Sequence, residues 1–364
     1  MKKIPLLGHY REIGAEIGEF AGWSSPLWFT GNRDEHLKVR SEVGLFDITH
    51  MTRIRITGND SEKLLQRVST KKVEKIKPGR MKYCLICRDD GGIMDDVTVF
   101  RHPEEGEGFI MVANAITHDK IIHWLESNSK NMDVEVEDLT FKTSLFAVQG
   151  PKSSQLISKL VEADVSDMKW FSGFELKLNG LKTILTRSGY TGENGYELMI
   201  WSWDEDLLKK IWKEIIDLGA IPCGLATRDS LRIEAGYPLY GQDMDENVTP
   251  VEARLMHAVD LSKPNFIGRE AIEERMRLGA ERLLVGVLMR ERGVLRRGYR
   301  IFHGDEVVGE LTSGILSYSL GVGVGLGYIK SSLAKEGEEI LIEVHGRKRM
   351  SEVKLTPFVP WKIK

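Results

Sequence analysis

Two adjacent carboxylates stand in a stretch that combines glycine, acidic and apolar residues, GGIMDDVTVF at 91–100. The apolar run that ends this stretch predicts a buried strand, and its two glycines predict the turn of a hairpin that returns from residues 83–87. Side chains alternate between the faces of a strand, so Asp95 and Asp96 should point in opposite directions. We expect one carboxylate to face solvent or the turn. The other should face inward, where a lone carboxylate is costly unless it has a partner or a chemical role.

A second set of polar residues has no obvious structural role. Glu197 lies in a strand-like segment, where alternation places it on the face opposite Tyr196 and Leu198. Arg228 opens a predicted helix, and a surface ion pair there would contribute at most about 1 kcal/mol. An inward carboxylate near an arginine and aromatic rings instead indicates a pocket for a flat, hydrogen-bonding, anionic ligand. A pterin ring is one such ligand, although these residues alone leave its identity open. The other candidates are Asn114, Tyr190, Tyr237 and Tyr240.

Composition limits the classes of function. The chain has 364 residues and a formal net charge of -3, which gives no broad footprint for nucleic acid. No apolar run reaches the roughly 18 residues of a membrane span, and the N-terminus lacks the apolar region of a signal peptide. We therefore expect a cytoplasmic protein that binds neither nucleic acid nor membrane. Cys84 and Cys87 form a C-x-x-C pattern, but a strand would point them to opposite faces, and the histidines are scattered, so we expect no metal site.

Periodicity predicts two successive α/β units. The first contains strands at 54–57 and 109–112, the hairpin around the two glycines, a helix capped by Asp60 and a helix at 116–125. Residues 20–29, which are aromatic and contain proline, are expected to form a loop. The second unit begins at residue 143. Both units have the order strand, helix, two hairpin strands, strand, helix, which is the order of a ferredoxin-like unit.

After about Arg282 the pattern changes to short alternating strands separated by turns. This predicts a separate all-β domain, either a barrel or a jelly roll. Glycines recur there at every second position from 321 to 327. No helix follows them, so they do not fit a nucleotide-binding loop and are expected to allow close approach of neighbouring backbones.

Several longer motifs occur in order along nearly the whole chain. They are FAGW at 20–23, GLFDITHM at 44–51, GGIMDD at 91–96, QGP at 149–151, RSGYTGENGYE at 187–197, YGQDM at 240–244, FIGR at 266–269 and LTSG at 311–314. As a set, these motifs resemble the folate-binding T-protein family, and most closely the aminomethyltransferases of the glycine cleavage system.

The resemblance implies a three-domain α+β cloverleaf, in which two ferredoxin-like subdomains surround a central folate channel and a β-barrel or jelly roll follows. Residues 1–280 would form the folate-binding part and residues 281–364 the barrel. Within the folate-binding part, one subdomain would combine roughly 1–50 with 140–240. The other would combine 51–139 with 241–280. A monomer is expected.

The resemblance also implies a reaction. An aminomethyl group on the lipoyl arm of H-protein passes to tetrahydrofolate, giving 5,10-methylenetetrahydrofolate, ammonia and dihydrolipoyl H-protein. By motif, Asp96 rather than Asp95 would be the catalytic carboxylate; with an ordinary pKa of about 3.9 it would be ionised and could accept a proton or stabilise developing positive charge. Glu197 would hold the pterin, and Arg228 would lie at the substrate site. The remaining channel residues would be Tyr83, Met51, Thr98, Asn114, Tyr190, Tyr237, Tyr240 and His257.

The chain departs from the family pattern at a few positions. His257 stands where tryptophan is usual, Thr52 where glycine is usual, and Ile363 where an aromatic residue is usual, although Trp361 is close by. Two alternatives stay open. One is a tetrahydrofolate-dependent demethylase acting on a methylated amine or sulfonium compound, which would need no lipoylated H-protein. The other is a non-enzymatic folate-binding factor, whose relatives carry a cysteine that is absent from residues 236–243.

Overall fold

The computed structural model describes residues 1–363, which form a mixed α/β structure. Its α-helices are α1 Leu7–Glu12, α2 Asn32–Ser41, α3 Ser61–Val68, α4 His118–Asn128, α5 Ser153–Leu160, α6 Glu205–Asp217, α7 Leu225–Ala235 and α8 Arg269–Leu278. Its strands are β1 Lys2–Lys3, β2 Glu16–Phe20, β3 Trp23–Trp28, β4 Gly44–Asp47, β5 Thr52–Thr57, β6 Met81–Cys87, β7 Ile93–Arg101, β8 Phe109–Ala113, β9 Glu135–Asp138, β10 Ser144–Gln149, β11 Gly173–Leu178, β12 Leu181–Thr186, β13 Gly195–Ile200, β14 Ile221–Cys223, β15 Arg282–Met289, β16 Arg300–His303, β17 Glu306–Leu316, β18 Gly323–Lys330, β19 Glu339–Val344 and β20 Arg347–Lys354. None of the helices within this range is both long and apolar enough to span a membrane.

Two sheets share one strand order. The five-stranded sheet runs β6-β7-β8-β5-β9, and the six-stranded sheet runs β11-β12-β13-β10-β4-β14. Each begins with the two hairpin strands, continues with the strand that follows them and then takes the first strand of the unit. A helix follows the first and the last of these four strands in both units. The order of elements predicted from the sequence is therefore confirmed, whereas the proposed domain boundaries stay a prediction.

Helix α6 and helix α3 differ in how they begin. The apolar residues of α6 recur at helical spacing and are buried, and its N-terminus is capped by Asp204, which accepts a hydrogen bond from the Leu207 N–H at 2.9 Å. The predicted cap of α3 is wrong. Asp60 precedes that helix, but its side chain accepts a hydrogen bond from the Asp133 N–H at 3.0 Å instead.

Residues 20–29 are not the loop that was predicted. Most of them form the hairpin of β2 and β3, in which Phe20 pairs with Trp23 and Trp23 is buried. Pro26 suggested a loop because proline cannot donate a ladder hydrogen bond. The register of the hairpin shifts between Glu16 and Ile17, and Pro26 lies opposite this irregularity, where a missing donor is tolerated.

The C-terminal strands close into a barrel of order β15-β18-β17-β16-β19-β20, with β15 also paired to β20. This confirms the barrel alternative of the predicted β domain. Three of the four alternate glycines, Gly323, Gly325 and Gly327, lie in β18, whereas Gly321 precedes the strand and has open space around it. A Cβ on Gly325 would stand 2.5 Å from the carbonyl oxygen of Ser313, and one on Gly327 would stand 2.6 Å from that of Glu310. Neighbouring strands could not approach so closely with larger residues there.

The two cysteines of the C-x-x-C pattern lie on opposite faces of β6. Cys84 packs in the core of the five-stranded sheet, whereas Cys87 packs in a second cluster that includes barrel residues. Both are free thiols, and burial raises the pKa of Cys84 to about 12. They are core residues, as the alternation of side chains along a strand predicts.

Candidate active site

The hairpin of β6 and β7 carries the acidic pair. Gly91 has a φ of +82°, and a Cβ on Gly92 would stand 2.1 Å from the Glu246 carbonyl oxygen, so the turn requires both glycines. Asp95 and Asp96 point to opposite faces of β7, as predicted. Asp95 is the carboxylate that faces inward, because it is fully buried, whereas Asp96 is partly exposed and lines a cavity.

One amide group connects the two carboxylates. The Asn114 Nδ2 donates to Asp95 Oδ1 at 2.6 Å and to Asp96 Oδ1 at 2.8 Å. On the cavity side, the Tyr83 hydroxyl donates to Asp96 Oδ2 at 3.1 Å. On the core side, the Thr117 hydroxyl donates to Asp95 Oδ2 at 2.5 Å. These bonds fix the orientation of the Asp96 carboxylate. The Asp95 carboxylate lies on the other face of the same strand and shares the Asn114 amide with it.

This arrangement changes the acidity of the pair. Burial raises the pKa of Asp96 above its ordinary value of 3.8, while the bonds from Asn114 and Tyr83 act in the opposite direction. Burial and the charge of Asp96 also raise the pKa of Asp95. The ordinary pKa expected for Asp96 is therefore wrong. A raised pKa makes its carboxylate a stronger proton acceptor than an exposed aspartate would be.

Glu197 and Arg228 face the same cavity from the second α/β unit and from α7. Glu197 lies on β13, and its Oε2 accepts a hydrogen bond from the Ser188 hydroxyl at 2.5 Å. Arg228 is partly buried in the wall, with its guanidinium 4.8 Å from the centre of the Tyr190 ring. Burial lowers the pKa of Arg228, and the charge of Glu197 counteracts that effect. Arg228 Nη1 is buried and has no hydrogen-bond partner among residues 1–363.

Aromatic rings extend from Arg228 towards the cavity mouth. Tyr190 stacks on Tyr237 with ring centres 5.5 Å apart, and Tyr237 contacts Trp361 at the same separation. Trp361 is 52% exposed and is anchored by its indole N–H, which donates to the Ala235 carbonyl at 2.8 Å. On the other side, His257 stacks on Tyr83 with centres 6.1 Å apart. The chain therefore keeps a planar ring at position 257, and an aromatic residue near its C-terminus.

The cavity has a volume of about 1290 Å³ and is lined by residues of both sheets, α7 and the barrel. Every site residue expected from the sequence lies in its wall. These residues are Asp96, Glu197, Arg228, Tyr83, Met51, Thr98, Asn114, Tyr190, Tyr237, Tyr240 and His257. The structure thus brings all eleven together, while the role assigned to each stays a prediction.

Two further residues contribute that the sequence reasoning did not select. His50 lines the cavity, although only its neighbour Met51 was predicted to do so. Arg53 is fully buried and donates to the Thr49 carbonyl at 2.6 Å and to the Met51 carbonyl, which holds the turn that carries His50. Nothing in the sequence distinguishes Arg53 from Arg55, because both lie in the same alternating strand.

One cluster has the residue types of a metal site, namely His102, Glu104 and Glu175. Its bonds give another explanation. His102 Nδ1 accepts a hydrogen bond from the Glu104 N–H, so its Nε2 carries the proton that is donated to Glu175. Glu175 is also paired with Lys182 at 2.9 Å. The cluster is accounted for as a hydrogen-bonded ion pair.

Known proteins resemble this chain over its whole length. It matches the sequence model of the GCVT N-terminal domain over residues 6–263 and that of the glycine cleavage T-protein C-terminal barrel domain over residues 282–360. It is 39% identical to the aminomethyltransferase of Bacillus subtilis, covering 98% of this chain and 99% of that protein. The aminomethyltransferase of Halothermothrix orenii is 38% identical, with coverage of 99% and 100%.

Similarity of structure agrees. The crystal structure of the glycine cleavage system aminomethyltransferase T from Bartonella henselae has a TM-score of 0.93 to this chain at 31% identity, covering 100% of this chain and 99% of that one. Fold and site thus define an α+β transferase with a C-terminal barrel, as predicted. The chain belongs to the glycine cleavage T-protein family. The prediction of an aminomethyltransferase is confirmed at this level.

Proposed function

We propose that the protein transfers the one-carbon unit of an aminomethyl group on lipoylated H-protein to tetrahydrofolate. The products are 5,10-methylenetetrahydrofolate, ammonia and dihydrolipoyl H-protein. The observation that carries this proposal is the placement of Asp96 and the Glu197–Arg228 pair in the wall of one cavity. The cytoplasm as the compartment, and the monomeric state, stay predictions.

Asp96 is the proposed proton acceptor. Its carboxylate is oriented by hydrogen bonds from Tyr83 and Asn114. Burial raises its pKa, so the ionised carboxylate is a better acceptor for the proton of the attacking amine. The same group returns that proton to the departing nitrogen, which leaves as ammonia. The proton of the second folate amine goes to the departing lipoyl sulfur, which leaves as the thiol of dihydrolipoyl H-protein. Ionised, Asp96 also stabilises the positive charge that develops near the transferred carbon.

The part of the cavity wall that contains Glu197 and Arg228 offers groups that complement a pterin ring. Glu197 offers acceptor oxygens for adjacent N–H groups, and Arg228 offers the buried Nη1 donor that no described residue occupies. Buried polar groups in native proteins almost always have partners, so a free donor in a cavity wall indicates a ligand acceptor. Tyr190 and Tyr237 supply flat apolar surface beside it.

Cavity size supports two reactants. Sites for a single small molecule usually enclose about 300–1,000 Å³, whereas this cavity encloses about 1290 Å³. We expect a bound folate to leave room in the cavity for the end of a second reactant, the extended lipoyl arm. The half-exposed Trp361 lies at its mouth, where such an arm would enter.

The test is a reconstituted reaction. Tetrahydrofolate and aminomethylated, lipoylated H-protein are supplied to the protein, and 5,10-methylenetetrahydrofolate and ammonia are measured together. We expect both products in equal amounts, and neither with H-protein that lacks the lipoyl group. Folate binding without either product would contradict the donor. Turnover of methylated amines or sulfonium compounds without H-protein would establish the demethylase instead, and binding without any turnover would favour the non-enzymatic factor.

A further inference from the structure

His50 differs from the other buried histidines. Among residues 1–363, three histidines are at most 3% exposed: His36, His50 and His102. His36 contacts Ser230 with one ring nitrogen and Glu234 with the other, and His102 contacts Glu104 and Glu175 in the same way. The Nδ1 of His50 is buried without any hydrogen-bond partner in the described chain. Both ring nitrogens of His36 and of His102 are therefore bonded, whereas the Nδ1 of His50 is not.

The surroundings of His50 explain why its imidazole is neutral, but they do not explain why a histidine is needed at this position. Its ring contacts the Phe20 ring edge-on at 5.2 Å, which any aromatic or aliphatic residue could do. Burial, together with the charges of Arg228 and Arg53, lowers the pKa of His50 to about 3, so the imidazole is neutral at physiological pH. A neutral imidazole offers one hydrogen-bond donor and one acceptor, and it brings no charge into the cavity.

Two unpartnered atoms occur in the wall of the same cavity. Several buried polar side-chain atoms within residues 1–363 have no partner, but only His50 Nδ1 and Arg228 Nη1 belong to residues that line the cavity. The two side chains are close enough for the charge of one to act on the other. An unsatisfied buried polar group lowers the stability of the free protein. Two of them at one place are explained if a bound molecule satisfies both.

We propose that His50 is a ligand-binding residue that acts with Arg228. Together they form a hydrogen-bonding edge that complements the neighbouring carbonyl and N–H groups of an amide-containing heterocycle. This assignment rests on the proposed function, in which that heterocycle is the pterin ring of tetrahydrofolate. Arg53 then has a positioning role, because it holds the turn on which His50 stands.

The test separates binding from stability with two matched variants. In His50→Leu, an apolar side chain of similar size replaces an unsatisfied group, so we expect the melting temperature of the free protein to stay the same or rise. The Kd for tetrahydrofolate, measured by anaerobic calorimetry, should increase at least tenfold. The control His102→Leu breaks the bond to Glu175, so it should lower the melting temperature and leave the Kd unchanged.

A third variant tests the hydrogen bond itself. The amide of His50→Asn places a polar atom near the position of Nδ1, so it should recover part of the lost affinity. An unchanged Kd in His50→Leu would overturn the assignment of His50 while the proposed function stands. A fall of melting temperature in His50→Leu, with no recovery of affinity in His50→Asn, would overturn it in favour of a structural role. Failure of the wild-type protein to bind tetrahydrofolate would instead contradict the proposed function.

Discussion

Asp96 and Glu197, two of the carboxylates that line the cavity, have opposite electrostatic surroundings. Asp96 has a second acid, Asp95, on the other side of its own strand, and one amide bonds to both. Glu197 has the partly buried Arg228 nearby and accepts a hydrogen bond from the Ser188 hydroxyl. Burial and the like charge of the neighbour raise the pKa values of the acidic pair, whereas the Arg228 guanidinium adds positive charge and hydrogen-bond donors beside Glu197. The first region is therefore suited to exchanging a proton and the second to holding a ligand in place.

This difference arises although the two α/β units share their strand order. Asp96 lies on β7, the second hairpin strand of its unit, whereas Glu197 lies on β13, the strand that follows the hairpin in the other unit. In the first unit, the strand equivalent to β13 is β8, and Asn114 is the residue that directly follows β8. Repetition of the fold thus did not duplicate the site. Each unit contributes different chemistry to one shared cavity.

The largest expected effect separates chemistry from binding at Asp96. Asp96→Asn keeps the size and most hydrogen bonds of the side chain but removes the proton acceptor. We expect turnover to fall at least about a hundredfold, roughly 2.7 kcal/mol of barrier, with tetrahydrofolate affinity nearly unchanged. The measurement is kcat in the reconstituted reaction together with a direct Kd. Asp167→Asn, at an exposed position, is the control, and turnover near wild type in Asp96→Asn would remove Asp96 from the chemistry.

The second region should show the reverse pattern. Glu197→Ala removes the acceptor oxygens and leaves the Arg228 charge without its neighbour. We expect the Kd for tetrahydrofolate to rise more than about tenfold, or roughly 1.4 kcal/mol. Glu175→Ala is a suitable control, because Glu175 is a strand carboxylate of the same sheet that pairs with Lys182 outside the cavity. Identical titration curves for Glu197→Ala and wild type would exclude Glu197 from binding.

Sequence patterns predicted the parts of the fold that depend on near neighbours. The hairpin of β6 and β7 follows from two glycines between apolar runs, and α6 follows from its helical spacing. The hairpin of β2 and β3 was missed because its proline lies at an irregular register, which depends on the partner strand. The cap of α3 was misassigned for the same reason, since Asp60 bonds to a residue 73 positions away.

Residue types and strand alternation selected seven of the eleven residues that the structure brings to one cavity, namely Asp96, Asn114, Tyr190, Glu197, Arg228, Tyr237 and Tyr240. The resemblance of the motifs added Tyr83, Met51, Thr98 and His257 and suggested the role of each residue. It could not supply the burial of Asp95, because this depends on Asn114 and Thr117, which pairing of β7 with β8 brings close from 19 and 22 positions away. The resemblance also could not predict that His50 Nδ1 has no hydrogen-bond partner, because this depends on which polar groups surround it in the folded protein.

The coupling between the two acids can be measured through Asp95→Asn. Removing the negative charge behind Asp96 should lower the pKa of Asp96, because a carboxylate ionises more readily without a like charge nearby. If ionised Asp96 is the active form, the acidic limb of kcat/KM moves to lower pH, by on the order of one unit. The pH profiles of kcat/KM for wild type and Asp95→Asn should be compared over the pH range in which the two proteins have the same circular dichroism spectrum. An unmoved limb would mean that the two acids act independently.

The smallest expected effect has the opposite sign and comes from Tyr83→Phe. The Tyr83 hydroxyl donates to Asp96 Oδ2, and this bond favours the ionised carboxylate. Its loss should raise the pKa of Asp96 and move the acidic limb of kcat/KM to higher pH, by about half a unit, since Asn114 still donates to the other oxygen. The aromatic ring remains to stack on His257, so tetrahydrofolate affinity should change little. In the double variant with Asp95→Asn the two shifts should partly cancel. Movement of both limbs in the same direction would mean that the limb reports a group other than Asp96.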